Sequence, residues 1–91
     1  MKEIIKSIIR NIPSGMIFDT HTIIEYLIQK NSDAYLENYK GKNSTELYHS
    51  YIGQVISSIA KDERLVERIT EESWSLNIHK QFSECACWKK I

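Results

Sequence analysis

The chain predicts an α+β domain: three to four helices with a small antiparallel β-sheet that includes a C-terminal hairpin. Three observations predict it. An isoleucine stripe at helical spacing opens the chain, and a long amphipathic pattern covers residues 44–61. That pattern runs almost directly into two stretches that alternate apolar and polar residues, 64–69 and 74–78. Helical and alternating periods differ because side chains recur about every 3.6 residues on a helix face and every second residue on a strand face. The 91 residues suit one domain with one core, read here as 1–79, with 80–91 as a C-terminal extension.

The first helix is expected over about 2–11. Ile4, Ile5, Ile8, Ile9 and Ile12 form its buried stripe, while Lys2, Lys6 and Arg10 mark the solvated side. Pro13-Ser14-Gly15 ends it, since proline cannot continue the hydrogen-bond ladder. Met16-Ile17-Phe18 reads as a minor strand able to pair with the later hairpin. Asp19, Thr20 and Thr22 are all suitable N-caps for a second helix, and Thr22-x-x-Glu25 matches a capping box. Ile23, Ile24, Leu27 and Ile28 supply the buried face of that helix. Ser32-Asp33 caps a shorter helix carrying Tyr35, Leu36 and Tyr39, and Lys40-Gly41-Lys42-Asn43 forms a small basic turn.

On a wheel of about 100° per residue, Leu47, Tyr51, Ile52, Val55, Ile56 and Ile59 share the inner half of the 44–61 helix. Glu46, His49, Ser50, Gly53, Gln54, Ser57, Ala60 and Lys61 form an outer face short in side chains. Such a face serves either as a recognition helix or as a packing surface against a neighbour or a second subunit. In the first case Gln54 and His49 reach base edges, Ser50 and Ser57 touch phosphate, and Lys40, Lys42 and Lys61 supply charge. Beyond it, 64–69 and 74–78 read as a hairpin turning at Thr70-Glu71-Glu72-Ser73, which makes its tip acidic. In the tail, Phe82 and Trp88 are large enough to dock on the core.

Charge argues against a strongly electrostatic partner. Twelve basic residues balance twelve acidic ones, and they are interleaved, with Glu46 the one formal charge between Asn43 and Lys61. Duplex binders draw much of their affinity from phosphate neutralisation and are usually basic. No apolar run approaches the ~20 residues of a membrane span, and the opening segment lacks a signal-peptide core, so a cytoplasmic protein is expected.

Candidates for chemistry are sparse. His79, Cys85 and Cys87 lie within nine residues, and with His21 or His49 they could complete a tetrahedral zinc site. The single Cys-x-Cys pair lacks the paired knuckles of structural zinc sites, so free thiols are the default, as small semi-buried hydrophobes. A Cys–His nucleophile would need an open cleft and a third orienting group. Phosphate-cradling glycine loops, serine elbows and paired carboxylates are missing from the sequence. The expectation is a protein that is not an enzyme and needs no cofactor or metal.

The order helix, short strand, helix, helix, long helix, hairpin, over about residues 3–79, resembles the winged helix-turn-helix superfamily. The chain also looks like the small bacterial proteins of Ile- and Lys-rich genomes. The resemblance implies regulatory binding of double-stranded DNA, in which a dimer would join two weak half-site contacts. It equally allows the protein–protein or self-association role that many such domains take instead. Two features depart from the pattern: the outer face of the 44–61 helix lacks arginine, and the expected wing tip is acidic.

Overall fold

A computed structural model describes residues 1–39 and 44–91. Among them the chain forms four helices and three strands: α1 (Lys2–Arg10), β1 (Ile17–Asp19), α2 (Thr20–Lys30), α3 (Ser32–Tyr39), α4 (Thr45–Glu63), β2 (Val66–Leu76) and β3 (Phe82–Lys90). The strands make one antiparallel sheet in the order β1-β3-β2, so the α+β layout with its C-terminal hairpin is observed. No helix among the described residues is long and apolar enough to cross a membrane.

Local chemistry explains most boundaries. The carboxylate of Asp19 caps α2, accepting from the Thr22 N–H at 2.8 Å and the Thr22 hydroxyl at 2.8 Å. Of the three candidate caps, Asp19 therefore takes the role, and Thr22 lies inside the helix. Ser44 caps α4 by accepting from the Leu47 N–H at 3.1 Å. Arg64 ends α4 in the left-handed region, at φ 54°, which turns the chain into β2.

The helices bury Ile5 and Ile9 of α1, Ile23, Ile24 and Leu27 of α2, and Tyr48, Ile52, Ile56 and Ile59 of α4 in one core shared with Phe18, Val66 and Trp88 of the strands. Each such side chain removed from water contributes on the order of 1.5–3 kcal/mol. The sheet's largest contribution is Trp88 on β3, which lies between Phe18 of β1 and Arg68 of β2 in register and is 1 % exposed. Its indole N–H donates to the Thr20 hydroxyl at 3.3 Å, and the Arg68 guanidinium sits 5.4 Å from the ring centre.

The hairpin departs from expectation. Residues 64–69 and 74–78 are not two strands joined at 70–73; residues 66–69 and 74–76 lie in the one long strand β2, which passes through an irregularity between Ile69 and Ser73. The turn lies at 77–81, and the partner strand comes from the supposed extension 80–91, which supplies the central strand of the sheet. Asn77 explains the location. Its side-chain oxygen accepts from the N–H groups of His79 (2.8 Å) and Gln81 (3.2 Å), while its backbone pairs with Gln81 and Lys80. Asparagine builds such turns locally, and Lys80 completes this one at φ 63°. Thr70–Ser73 offers no comparable residue, and Glu71-Glu72 therefore lies mid-strand instead of at a tip.

Inner and outer assignments on α4 also shift. Leu47, expected inside, is exposed, and Tyr48 is fully buried in its place. The reason is α3, whose Tyr35 and Tyr39 rings pack 5.0 and 5.1 Å from Tyr48. The Tyr48 hydroxyl donates to the Tyr35 carbonyl, and burial pushes its pKa up to about 12.

Candidate nucleic-acid interface

With α3 covering the Tyr48 side, the open side of α4 is a single stripe. Glu46, Leu47, Ser50, Gln54, Ser57 and Lys61 are all exposed, and their spacing of three and four residues places them in line. From Ser50 to Lys61 the stripe runs roughly 16 Å at about 1.5 Å per residue. Of the expected site residues, the structure thus aligns Ser50, Gln54, Ser57 and Lys61. Lys40 and Lys42 fall outside the described residues.

His49 sits elsewhere. It is half-buried beside the stripe, its Nε2 2.8 Å from the Tyr35 hydroxyl and its ring 5.9 Å from that of Tyr48. Burial lowers its pKa, and the nearby His79 and His21 act in the same direction, against Glu46. Gly53 is likewise half-covered: a Cβ built on it would meet Thr20 Cγ2 at 3.8 Å. The small-residue face of the helix thus partly abuts the start of α2.

Charge at the end of α4 is segregated in a way that residue counting hides. In the run Lys61-Asp62-Glu63-Arg64 the signs cancel along the chain, yet the acids turn toward α1. Asp62 pairs with Lys2 at 3.1 Å and Glu63 with Lys6 at 3.2 Å. Lys61 and Arg64 remain exposed, and among the described residues neither forms a salt bridge. Both line a shallow depression of about 440 Å³ together with Ser57, Arg68 and Trp88. Arg68 itself reaches Glu72 at 3.7 Å, an exposed pair. The open face of α4 therefore ends in a basic cluster of Lys61, Arg64 and Arg68, with Glu67 as its acidic neighbour. Arg64 and Arg68 escaped the sequence reading because they lie beyond the helix, in what looked like an ordinary strand.

Beside the N-terminal half of α4 lies a second groove of about 380 Å³, closed on its far side by the hairpin turn. His21, His49 and His79 all line it, with Glu46 and Glu84. The relocated turn thus presents His79, Lys80 and Gln81 at the hairpin tip, and the acidic tip expected from Glu71-Glu72 is absent there. Further down the hairpin, Trp74 and Phe82 are exposed and stack with ring centres 6.2 Å apart, 9° from parallel. Leu76, paired with Phe82 across the strands, is exposed beside them. Phe82 was expected to dock on the core; only Trp88 does.

Of the zinc candidates, His21, His49, His79 and Cys85 line one groove, but without the closeness a metal needs. No group of three His, Cys, Asp or Glu among the described residues is placed to hold a metal. Cys85 and Cys87 are free thiols, half-buried on β3. Burial pushes the Cys85 thiol up, away from the thiolate that a nucleophile requires.

Comparison of the chain with protein-family models, curated proteins and solved structures returns no match.

Proposed function

We propose that the chain is a winged-helix-type module of a bacterial regulator, acting in the cytoplasm, that binds double-stranded DNA through the exposed stripe of α4. The observation that carries this reading is the charge segregation at the helix end. Lys2 and Lys6 of α1 engage Asp62 and Glu63, which leaves Lys61 and Arg64 open at the end of a polar stripe of Ser50, Gln54 and Ser57. The element order, with a two-stranded wing beyond α4, fits the same use. An α-helix fits the major groove, where a glutamine amide can pair with the adenine edge and serine hydroxyls accept or donate to bases and phosphates.

Few cations make the contact weak and its salt dependence shallow. Neutralising one phosphate each, Lys61, Arg64 and Arg68 would give a slope of log K against log salt of roughly −3. A homodimer would double that footprint. Fluorescence anisotropy with a labelled duplex across a salt series tests the reading. Lys61→Ala is expected to reduce the slope by about 1, while Gln54→Ala changes preference among duplex sequences. Binding that ignores both substitutions would remove α4 from the interface.

A second reading is favoured by one observation: the exposed Trp74–Phe82 stack with Leu76. Exposed aromatics on a small domain commonly anchor protein contacts. Under it the hairpin mediates self-association or binds a protein partner, and Trp74→Ser would abolish a dimer seen by sedimentation without touching duplex affinity.

A further inference from the structure

The chain contains three histidines, and all three line the single groove between the start of α2, the N-terminal half of α4 and the hairpin turn. His21 comes from α2, His49 from α4 and His79 from the turn. Histidine is the side chain whose ordinary titration falls between pH 5 and 8, so the charge of this groove is set by pH more than that of any other part of the surface.

We propose that the groove is a proton-gated phosphate subsite: protonation of His21, His49 and His79 converts it from an anionic cleft into a cationic one that receives a backbone phosphate of the duplex. The proposal rests on the duplex-binding reading above. With the imidazoles neutral, Glu46 of α4 and Glu84 of β3 leave the lining at −2. With all three protonated it becomes +1, a change of three charges in one groove lining. Glu25 of α2 and Lys80 of the turn lie on the other side of His21, one acid and one base whose charges offset each other. Tyr35 of α3 bonds His49, Tyr48 packs on the His49 ring, Cys85 of β3 lines the groove, and Asp19 lies behind His21, engaged by Thr22 and Ser73.

The hydrogen bonds already present accommodate the change. His21 Nδ1 is 2.7 Å from the Ser75 hydroxyl and its Nε2 is 3.4 Å from that of Ser83, while His49 Nε2 meets the Tyr35 hydroxyl. A hydroxyl accepts as readily as it donates. An imidazolium, which only donates, therefore keeps every one of these partners. Burial and the two other histidines hold the His49 pKa low, and an anion in the groove would favour its charged form. That help is reciprocal: whatever anion binding adds to protonation, protonation adds to anion binding.

Two measurements test the proposal on the whole chain. Histidine ring NMR titrations in sulfate, compared with chloride at equal ionic strength, report the subsite without DNA, because sulfate keeps its charge over this range. The expected result is a rise of about half a unit in at least two midpoints. Duplex affinity by anisotropy at pH 8.0 and 5.5 reports the gate. An increase of about tenfold on acidification is expected, falling below about twofold in a His21→Asn/His49→Gln/His79→Gln variant whose amide spectrum shows it folded. Should that variant unfold, His79→Gln alone, an exposed turn position, is expected to lose part of the increase. Duplex binding that is equal at the two pH values would overturn the gate and leave the proposed function standing. Sulfate-sensitive midpoints without duplex binding at either pH would overturn both the gate and the duplex reading, leaving a small-anion site. Midpoints indifferent to sulfate, with acid-enhanced binding that survives in the triple variant, would place the pH effect on other groups and overturn the proposal.

Discussion

Replacing Arg64 by glycine separates what this residue does for the fold from what it does for binding. Arg64 ends α4 with φ 54° and ψ 33°, a left-handed conformation that costs a residue with a Cβ about 1–2 kcal/mol. Glycine adopts it freely and is the usual residue at helix ends of this kind. Against that gain stands the greater freedom of glycine in the unfolded chain, worth about 0.4–1 kcal/mol. The difference leaves Arg64→Gly more stable by about 0.5–1 kcal/mol, or a Tm higher by about 2–8 °C for a domain of this size. The same substitution removes one cation from the Lys61–Arg64–Arg68 cluster, so the salt slope of duplex binding should fall by about 1. Urea unfolding, with an unchanged m-value as the check on two-state behaviour, and salt-dependent anisotropy give the two readouts. Stability and binding are expected to move in opposite directions. A variant that is destabilised would refute the backbone argument, and one that binds with an undiminished slope would refute the placement of Arg64 against phosphate.

Three further outcomes follow from the packing. Gly53→Ala should stabilise α4 by about 0.5–1 kcal/mol, since its new Cβ meets Thr20 Cγ2 at an ordinary 3.8 Å; a loss in thermal melting would mean that α2 and α4 approach more closely. Trp88→Ala should cost about 3–5 kcal/mol by emptying the centre of the sheet, whereas Phe82→Ala, on an exposed ring, should cost far less; equal effects in urea unfolding would contradict the central position of β3. Asp19 supplies a pH dependence. Burial alone would raise its pKa, but hydrogen bonds from Ser73, Thr22 and Ser75 outweigh it and hold the carboxyl below its ordinary value. The stabilisation is therefore fully present above about pH 4, the ordinary range of an unfolded aspartate, and is lost as pH falls through the lower folded-state value. Asp19→Asn should flatten that part of the acid unfolding curve, and a curve parallel to that of the unaltered protein would exclude Asp19 as its source.

Where a local chemical signal existed, sequence and structure agree. The isoleucines of α1 repeat at helical spacing, Asp19 and Ser44 carry capping side chains, and the Ser50–Gln54–Ser57–Lys61 stripe follows from helical period alone. The hairpin shows what such signals miss. Glu71-Glu72 are polar in a way that resembles a turn, yet they occupy an irregular stretch of an edge strand where solvent tolerates them. Asn77 carried the true turn signal, but it sits in an alternating stretch, Trp74 to Ile78, that reads equally well as strand. A turn at 70–73 needs no partner strand from 80–91, and so it conceals the central strand. The site suffered from a different limit. Charge segregation between Asp62–Glu63 and Lys61–Arg64 depends on where α1 packs, and the gathering of three histidines depends on where the hairpin folds back. Neither is encoded in spacing along the chain.

Contact between the exposed stripe of α4 and duplex DNA is read by a backbone amide NMR titration with a randomised-sequence duplex at low and then physiological salt. Shifts are expected at Ser50, Gln54, Ser57, Lys61 and Arg64 and at the hairpin turn around Lys80, reversed as salt rises. An unchanged spectrum at low salt, or shifts confined to Trp74, Leu76 and Phe82, would contradict that contact.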